Sequence, residues 1–479
     1  MRLIDNIKGS KGGRLVSNTI IFAIGTFASK ILVLLLMPLY TSILSTEQYG
    51  VSDLITQAAN LIIPLACVGI CDAVFRFAID SEDRRKVFST ALCVIFAGSA
   101  LLVLLSPLLS LVGYFDGYVW LICIYVICAN LHTVCAQYLR AKGRVTAFAV
   151  QGIINTALTI FYNVLFLIVF DMGVTGYVLS VVAADFTVTV GIFVFCRLWR
   201  DFSFRSFDGT VLRDMLRFSI PYIPTTMLWL ITGVSDRFVV TYFCGEDANG
   251  LYSASYKIPT LLTLICGIFI EAWQISAVRD GGDSIEEKQS FFGRVYRDYL
   301  SILVSGASFL VATAQIFTTI LLADAYYSSW RFVPILAMAT MFSALSSFMG
   351  SVYFLEKKSV YSMLTALTGA LVNVVLNFVM IPHHGAMGAA VATLISYVTV
   401  YAVRVVDTKR YVRFNTHNLK LALNSLLILV QSVILLSGVR YSLYVSFAIF
   451  AVIAVINLRG IVSSIVKILR IFVKKQKNN

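Results

Sequence analysis

GVTGYVLSVVAADFTV, Gly173–Val188, returns later in the chain as GAMGAAVATLISYVTV, Gly385–Val400. Gly173 falls on Gly385, Gly176 on Gly388, Thr187 on Thr399 and Val188 on Val400. An earlier pair behaves the same way. TSILSTEQYGV at Thr41–Val51 aligns with TYFCGEDANGL at Thr241–Leu251 through Thr41/Thr241 and Gly50/Gly250. Each member of that pair is a polar turn joining a first apolar run to a second. Two matches in the same order mark an internal duplication.

The runs around these stretches set the fold class. Hydrophobic residues make up 59% of the 479 and charged residues 13%, with a mean hydropathy of +0.85. That leaves too few polar residues to cover a soluble core, and it excludes a disordered chain and a disulfide scaffold. A helix crossing a hydrocarbon layer needs about 20 apolar residues. Runs of that kind are expected at 15–41, 50–75, 87–110, 117–139, 146–170, 173–196 and 215–243. They continue at 249–277, 297–322, 329–355, 359–381, 385–404, 418–437 and 441–458. The chain thus reads as an all-α polytopic membrane protein of about fourteen transmembrane helices. Six runs per copy keep both copies in one orientation, which relates them by an axis along the membrane normal with a substrate path between them. The expected organisation is a six-helix bundle over 1–210, a second over 211–405, and two further helices with a basic tail over 406–479.

Most of the 38 Lys and Arg lie at the N-terminus, in alternate connections and in the tail. Arg84, Arg85 and Lys86, then Arg140, Lys142 and Arg144, then Arg404, Lys409 and Arg410 are examples, whereas the opposite connections hold Arg331 and Arg440. The positive-inside rule places both termini in the cytoplasm. The net charge of +13 is then a topology signal and a surface for anionic lipid, not for nucleic acid. The first run is too long for a signal peptide. Ile461–Val473 reads as a surface helix or an extension of the last span.

Ionisable residues inside apolar runs are expensive and therefore informative. Asp53, Gln57, Asn60, Pro64, Cys67 and Cys71 form one helical stripe, and an offset of 200 gives Ser253, Lys257, Thr260, Leu264, Gly267 and Glu271. Lys30 and Arg237 lie on equivalent faces of the first span of each copy. Asp185 is the deepest carboxylate, read as a proton or sodium site or as a buried ion pair. Glu271 and Asp236 are further ion-coupling candidates, with Asp236 also open to a structural pairing with Arg237. The nine Cys read as small apolar filler, and no metal site is expected. His383 and His384 read as solvated. Pro64, Pro221, Pro224 and Pro259 interrupt backbone ladders. No GxxxxGK[ST], HExxH or GxSxG occurs, and no long external loop, so an enzyme is not expected.

NTIIFAIGTFASKILVLLLMPLYTSILSTEQYGVSDL near the N-terminus resembles the start of bacterial polysaccharide-transporter (Wzx-type) flippases. SDRFVVTYFCGEDANGLYSASYKI from Ser235 and LVNVVLNFVMIPHHGAMGAAVATLISY from Leu371 are similar to their seventh-to-eighth and eleventh-to-twelfth spans. One departure stands at Ile275, where the family often has proline. The resemblance implies the multidrug/oligosaccharidyl-lipid/polysaccharide (MOP) superfamily and a MATE-like fold of two six-helix bundles around a V-shaped cavity, with two extra C-terminal helices. It also implies transport of an undecaprenyl-pyrophosphate-linked glycan across the bacterial inner membrane, from the cytoplasmic to the outer leaflet, alongside glycan polymerase machinery. Lys30, Arg237 and Lys257 would then meet the pyrophosphate, and Asn60, Gln57, Tyr256 and Trp229 the sugars. No cofactor beyond H+ or Na+ coupling is expected. The competing readings are a cation-coupled multidrug exporter of the same superfamily and a membrane glycan polymerase or ligase.

Overall fold

The computed structural model describes residues 34–80, 83–111, 115, 117–221, 223–279, 285–356 and 358–477. Among them are seventeen α-helices and no strand. A bilayer demands this, because each buried backbone N–H and C=O must be paired within its own segment. The first eight helices are α1 (Met37–Ile43), α2 (Thr46–Ala66), α3 (Ile70–Asp80), α4 (Arg84–Ser110), α5 (Val119–Ala141), α6 (Val145–Asn163), α7 (Gly173–Phe195) and α8 (Gly209–Ser219). Then come α9 (Ile223–Cys244), α10 (Glu246–Ser255), α11 (Lys257–Arg279), α12 (Ile285–Ala312) and α13 (Ala314–Leu321). The last four are α14 (Val333–Leu355), α15 (Ser359–Thr408), α16 (Asn418–Leu436) and α17 (Ser442–Lys477). By packing, the chain divides into two units between Val234 and Ser235, inside α9.

Nine of the described helices are long and apolar enough to cross a membrane, or eleven stretches if each of two bent pairs is one span. α15 is broken at Gly385 (φ 58°, ψ −148°) and so covers both the eleventh and the twelfth expected runs. The first expected run lies largely outside the described residues. The eighth is divided between α10 and α11. In the second unit α14 is central, with 78% of its apolar window buried, whereas only 11% of the window in α4 is. Leu101, Leu104, Leu108 and Phe195 point outward with side chains that only lipid would solvate.

Local chemistry explains the element ends. Ser45 caps α2 in a reciprocal box: its hydroxyl accepts the Gln48 N–H at 3.1 Å, and Gln48 Oε1 accepts the Ser45 N–H at 3.1 Å. Pro64 withholds a donor near the other end, and α2 turns by 49° into α3. The repeated glycines have a common physical task. Gly173 (φ 53°) and Gly385 (φ 58°) both take the left-handed turn that enters the sixth helix of a copy. Three residues on, a Cβ at Gly176 would stand 3.0 Å from the Phe166 carbonyl, and one at Gly388 2.6 Å from the Met380 carbonyl.

Two readings change, the start of the seventh run and the placing of Arg404. The seventh run begins at Ile223, not 215, because α8 is a separate amphipathic helix on α3 and α4, burying Met215 and Ser219 and exposing Arg213 and Arg217. Asp208 caps it, accepting from the Thr210 N–H at 2.9 Å and the Thr210 hydroxyl at 2.6 Å. The packing division falls within α9, and α16 and α17 pack on α12 within the second unit. The C-terminal segment continues the last span as one helix to Lys477, the second of the two readings given for it. Arg404 is no loop cation. It is 1% exposed, donating to the Ser346 carbonyl at 2.8 Å, the Thr365 hydroxyl at 3.0 Å and the Ser362 carbonyl at 3.3 Å. At Ile275 the helix α11 runs on unbroken.

Candidate functional site

The polar centre of the second unit is built on α9. Asp236 is fully buried and its carboxylate collects donors from three elements. The Tyr252 hydroxyl donates to Oδ2 at 2.6 Å and the Tyr256 hydroxyl at 2.8 Å. The Thr393 hydroxyl reaches Oδ2 at 3.4 Å, and the Arg237 backbone N–H donates to Oδ1 at 2.9 Å. A buried carboxylate is tolerated when its lone pairs are filled in this way. The interruption after Ser255 makes the two tyrosines available. Tyr252 and Tyr256 lie one turn apart, and Pro259 opens the first turn of α11, where its missing N–H costs nothing.

Arg237 is 8% exposed, and its guanidinium lies over the Tyr256 ring, 4.7 Å from the centroid. The network continues along α15. Ser235 donates to Asn373 Oδ1 at 2.7 Å, Asn377 donates to the same oxygen at 3.1 Å, and Asn373 Nδ2 donates to the Thr393 hydroxyl at 3.3 Å. Gly385 lets α15 turn back on itself, which sets Thr393 beside Asn373.

The first unit has its own polar centre. Asp185 on α7 accepts from Asn155 Nδ2 at 2.9 Å and faces His132 Nδ1 at 3.2 Å. The other ring nitrogen of His132 lies 2.7 Å from Gln151 Oε1. The Tyr162 and Thr187 hydroxyls pair nearby at 2.9 Å.

Of the residues singled out by sequence, Asp236, Arg237 and Tyr256 are brought into one cluster. Lys257 follows Tyr256 directly and is half-buried, as is Trp229 on α9. Gln57 donates to Asp53 at 3.2 Å in the first unit, and Asn60 lies half-buried one turn on. Lys30 and the Glu271 side chain lie outside what the structure describes. The stripe through Ser253 and Lys257 is not carried by one straight helix, because α10 ends between them. His383 and His384 are exposed, as expected. No cluster of three or more His, Cys, Asp or Glu able to hold a metal occurs among the described residues.

Sequence reading missed His132, Gln151 and Asn155 around Asp185, and Asn373, Asn377 and Thr393 around Asp236. The signals were present. His132 is the one His of four deep inside an apolar run, and Asn373 and Asn377 are four apart in LVNVVLNFVM.

Residues 15–273 match the model of a family described as polysaccharide biosynthesis protein. The chain belongs to that family. No curated protein sequence matches it. Among solved structures it is similar to the lipid II flippase MurJ in its inward closed conformation, with a TM-score of 0.70 and 14% identity, covering 93% of this chain and 100% of that one. An inward-facing multidrug resistance MATE family transporter of the MOP superfamily gives 0.62 and 14%, covering 80% and 95%. An outward-facing multidrug resistance MATE family transporter of the MOP superfamily gives 0.55 and 15%, covering 86% and 99%. At this identity the likeness establishes the fold, that of multi-pass MOP transporters and flippases.

Proposed function

We propose that this family member is a flippase that moves an undecaprenyl-pyrophosphate-linked oligosaccharide from the cytoplasmic to the outer leaflet of the bacterial inner membrane by alternating access. The observation that carries the reading is Arg237, a permanent cation held inside an apolar helix by an aromatic ring, within the stretch matched to the polysaccharide family. A pyrophosphate leaving water needs such a cation, because an arginine stays charged where a lysine can lose its proton. Lys30 and Lys257 would add charge, while Trp229, Tyr256, Gln57 and Asn60 would offer stacking and hydrogen bonds to sugars. Asp185, Asp236 and Glu271 are the groups through which an H+ or Na+ gradient would drive the cycle.

Contact with anionic lipid has separate support. A cavity of about 410 Å³ in the second unit is lined by Arg294, Arg297, Arg413 and His417, with Glu286 as its acid. Burial first, and then the nearby Arg297 and Lys420, hold the His417 ring below its usual range. Glycan polymerase machinery would receive the product on the far side.

The test is a leaflet-sidedness assay in proteoliposomes with a polyprenyl-pyrophosphate-linked oligosaccharide, comparing wild type with Arg237→Gln. A charge-assisted hydrogen bond is worth about 1.5–3 kcal/mol. Wild type should flip the substrate and the folded variant should be slower by roughly ten- to a hundredfold. No movement by wild type with any ion gradient, or efflux of cationic drugs instead, would overturn the reading in favour of a multidrug exporter. Elongation of the glycan would point to a polymerase.

A further inference from the structure

The His132 ring is engaged at both nitrogens, and both partners are acceptors as placed. Nδ1 stands 3.2 Å from Asp185 Oδ1, and Nε2 stands 2.7 Å from Gln151 Oε1. A neutral imidazole carries one N–H and one lone pair; a ring set between two acceptors carries two N–H groups. Asn155 sharpens the arrangement. Its Nδ2 donates to Asp185 Oδ1 at 2.9 Å, while its own Oδ1 is buried without a hydrogen-bond donor among the described residues. The amide thus favours an ionised Asp185, which leaves the ring as the place for the proton.

We propose that His132 and Asp185, seated between Gln151 and Asn155, form a proton-binding site of the first unit that takes one proton per molecule at His132 Nε2, with the Gln151 amide as its switch. With the proton bound, Nε2–H donates to Gln151 Oε1 and Nδ1–H donates to the Asp185 carboxylate, so the pair is electrically neutral. When the proton leaves to water, the Nε2–H bond is the one that breaks and its electron pair stays on the ring. Nε2 then needs a donor, and a half-turn of the Gln151 amide supplies an N–H from Nε2 of that side chain. Nδ1–H still donates to Asp185, and the site now carries one negative charge. A net charge inside an apolar helix is costly unless water or a cation reaches it. Proton occupancy is therefore tied to whether the site faces water, which is the property that coupled transport requires.

The surroundings leave the assignment on this pair. Tyr125 and Cys128 face Asp185 from α5 itself. Gln151 and Asn155 come from α6 and are uncharged. The other ionisable side chains on helices packed against α5 include Asp53 on α2, Cys67, Cys71, Asp72 and Arg76 on α3 and its approach, Cys93 and the basic start of α4, and Tyr177 on α7. The ring itself contacts Asp185 through Nδ1 and Gln151 through Nε2. Side-chain exposures of 15% for His132 and 12% for Asp185 leave a narrow route for a proton.

This inference deepens the flippase reading by naming the proton as its coupling ion, but its first test does not depend on that reading. Full-length protein carrying ¹⁵N-histidine in lipid nanodiscs has four histidines to resolve, and His132→Gln assigns the relevant one. The His132 signals should pass from doubly to singly protonated between about pH 5 and 9. In Asp185→Asn the midpoint should move by at least about tenfold in proton concentration, while His383, His384 and His417 stay put and report an intact fold. Gln151→Leu, which keeps the charge count, should move it as well. A ring that stays in one protonation state throughout, or a midpoint indifferent to both variants, would overturn the proposal.

The second test uses proteoliposomes with an imposed pH gradient. Wild-type flipping should respond to the gradient, and His132→Gln should be indifferent to it. A variant that responds like wild type overturns the coupling role even if the ring titrates. Absence of flipping by wild type with a titrating ring would sink the substrate reading and leave the proton site standing.

Discussion

Asp185 and Asp236 are both buried carboxylates in apolar helices, one in each unit, and they are kept there by opposite means. Asp236 is wholly enclosed and takes two tyrosine hydroxyls, a threonine hydroxyl and a backbone N–H, beside an arginine that is always charged. Asp185 keeps 8% exposure and leans on an amide and on a histidine, whose charge depends on pH. The first arrangement is permanent and the second can be switched. Duplication preserved the backbone device and not the polar chemistry. In the alignment of Gly173 with Gly385, Asp185 falls on Tyr397, and Tyr397 stands within electrostatic reach of Asp236 and Arg237. The same position of the sixth helix thus feeds a polar centre in each copy, with a different group.

The largest expected effect breaks that comparison directly. Asp236→Ala strands the buried Tyr252 and Tyr256 hydroxyls and removes the carboxylate next to Arg237 in the second unit. Removing one partner from a buried charged network costs on the order of 3–5 kcal/mol. Asp185→Ala leaves a ring able to go neutral, so about 1–3 kcal/mol is expected there. Thermal unfolding in detergent should rank Asp236→Ala well below Asp185→Ala. Equal or reversed losses would mean that the two centres are held in the same way.

How much of this was legible follows from what sequence patterns encode. Apolar length sets the spans, and paired glycines marked both tight turns, because Gly173 and Gly385 stand where positive φ is required. Charge placement misled at Arg404, which lies at a run's end in sequence and deep within helix packing in space. The switchable pair was invisible for a different reason. His132, Gln151 and Asp185 are spread over three helices, and only the packing of α5, α6 and α7 brings them together. The Asp236 centre was half visible, since Tyr252 and Tyr256 are close in sequence, whereas Thr393 arrives through the turn at Gly385.

A middle-sized effect tests whether the duplicated turns carry equal loads. A Cβ at Gly388 would lie 2.6 Å from the Met380 carbonyl oxygen and 2.7 Å from its carbon, backbone atoms that cannot step aside. At Gly176 the tightest approaches are 3.0 Å, to the Phe166 carbonyl and the Met172 side chain. Overpacking of this kind costs about 1–3 kcal/mol. Gly388→Ala should sit at the upper end and Gly176→Ala at the lower, read as melting temperature. A Gly176 variant worse than the Gly388 variant would show that the first unit is the less forgiving of the two.

The smallest effect concerns α8, which has no expected counterpart in the repeat. The Thr210 hydroxyl, then Lys86 at 3.1 Å, then the Thr210 backbone N–H hold the Asp208 carboxyl well below the usual carboxylate range. A depressed folded value means that this contribution is present above the unfolded carboxylate value of about 3.9 and fades as pH falls through the folded one. Hydrogen exchange over residues 208–219 should therefore quicken in Asp208→Asn at neutral pH, with the gap to wild type closing in strong acid. Thr210→Val should act more strongly than Lys86→Ala, because the hydroxyl bond is the leading cause and the lysine is half-exposed. If Lys86→Ala has the larger effect, the ion pair and not the cap fastens α8 to α4, and raising the salt concentration should then mimic the mutation.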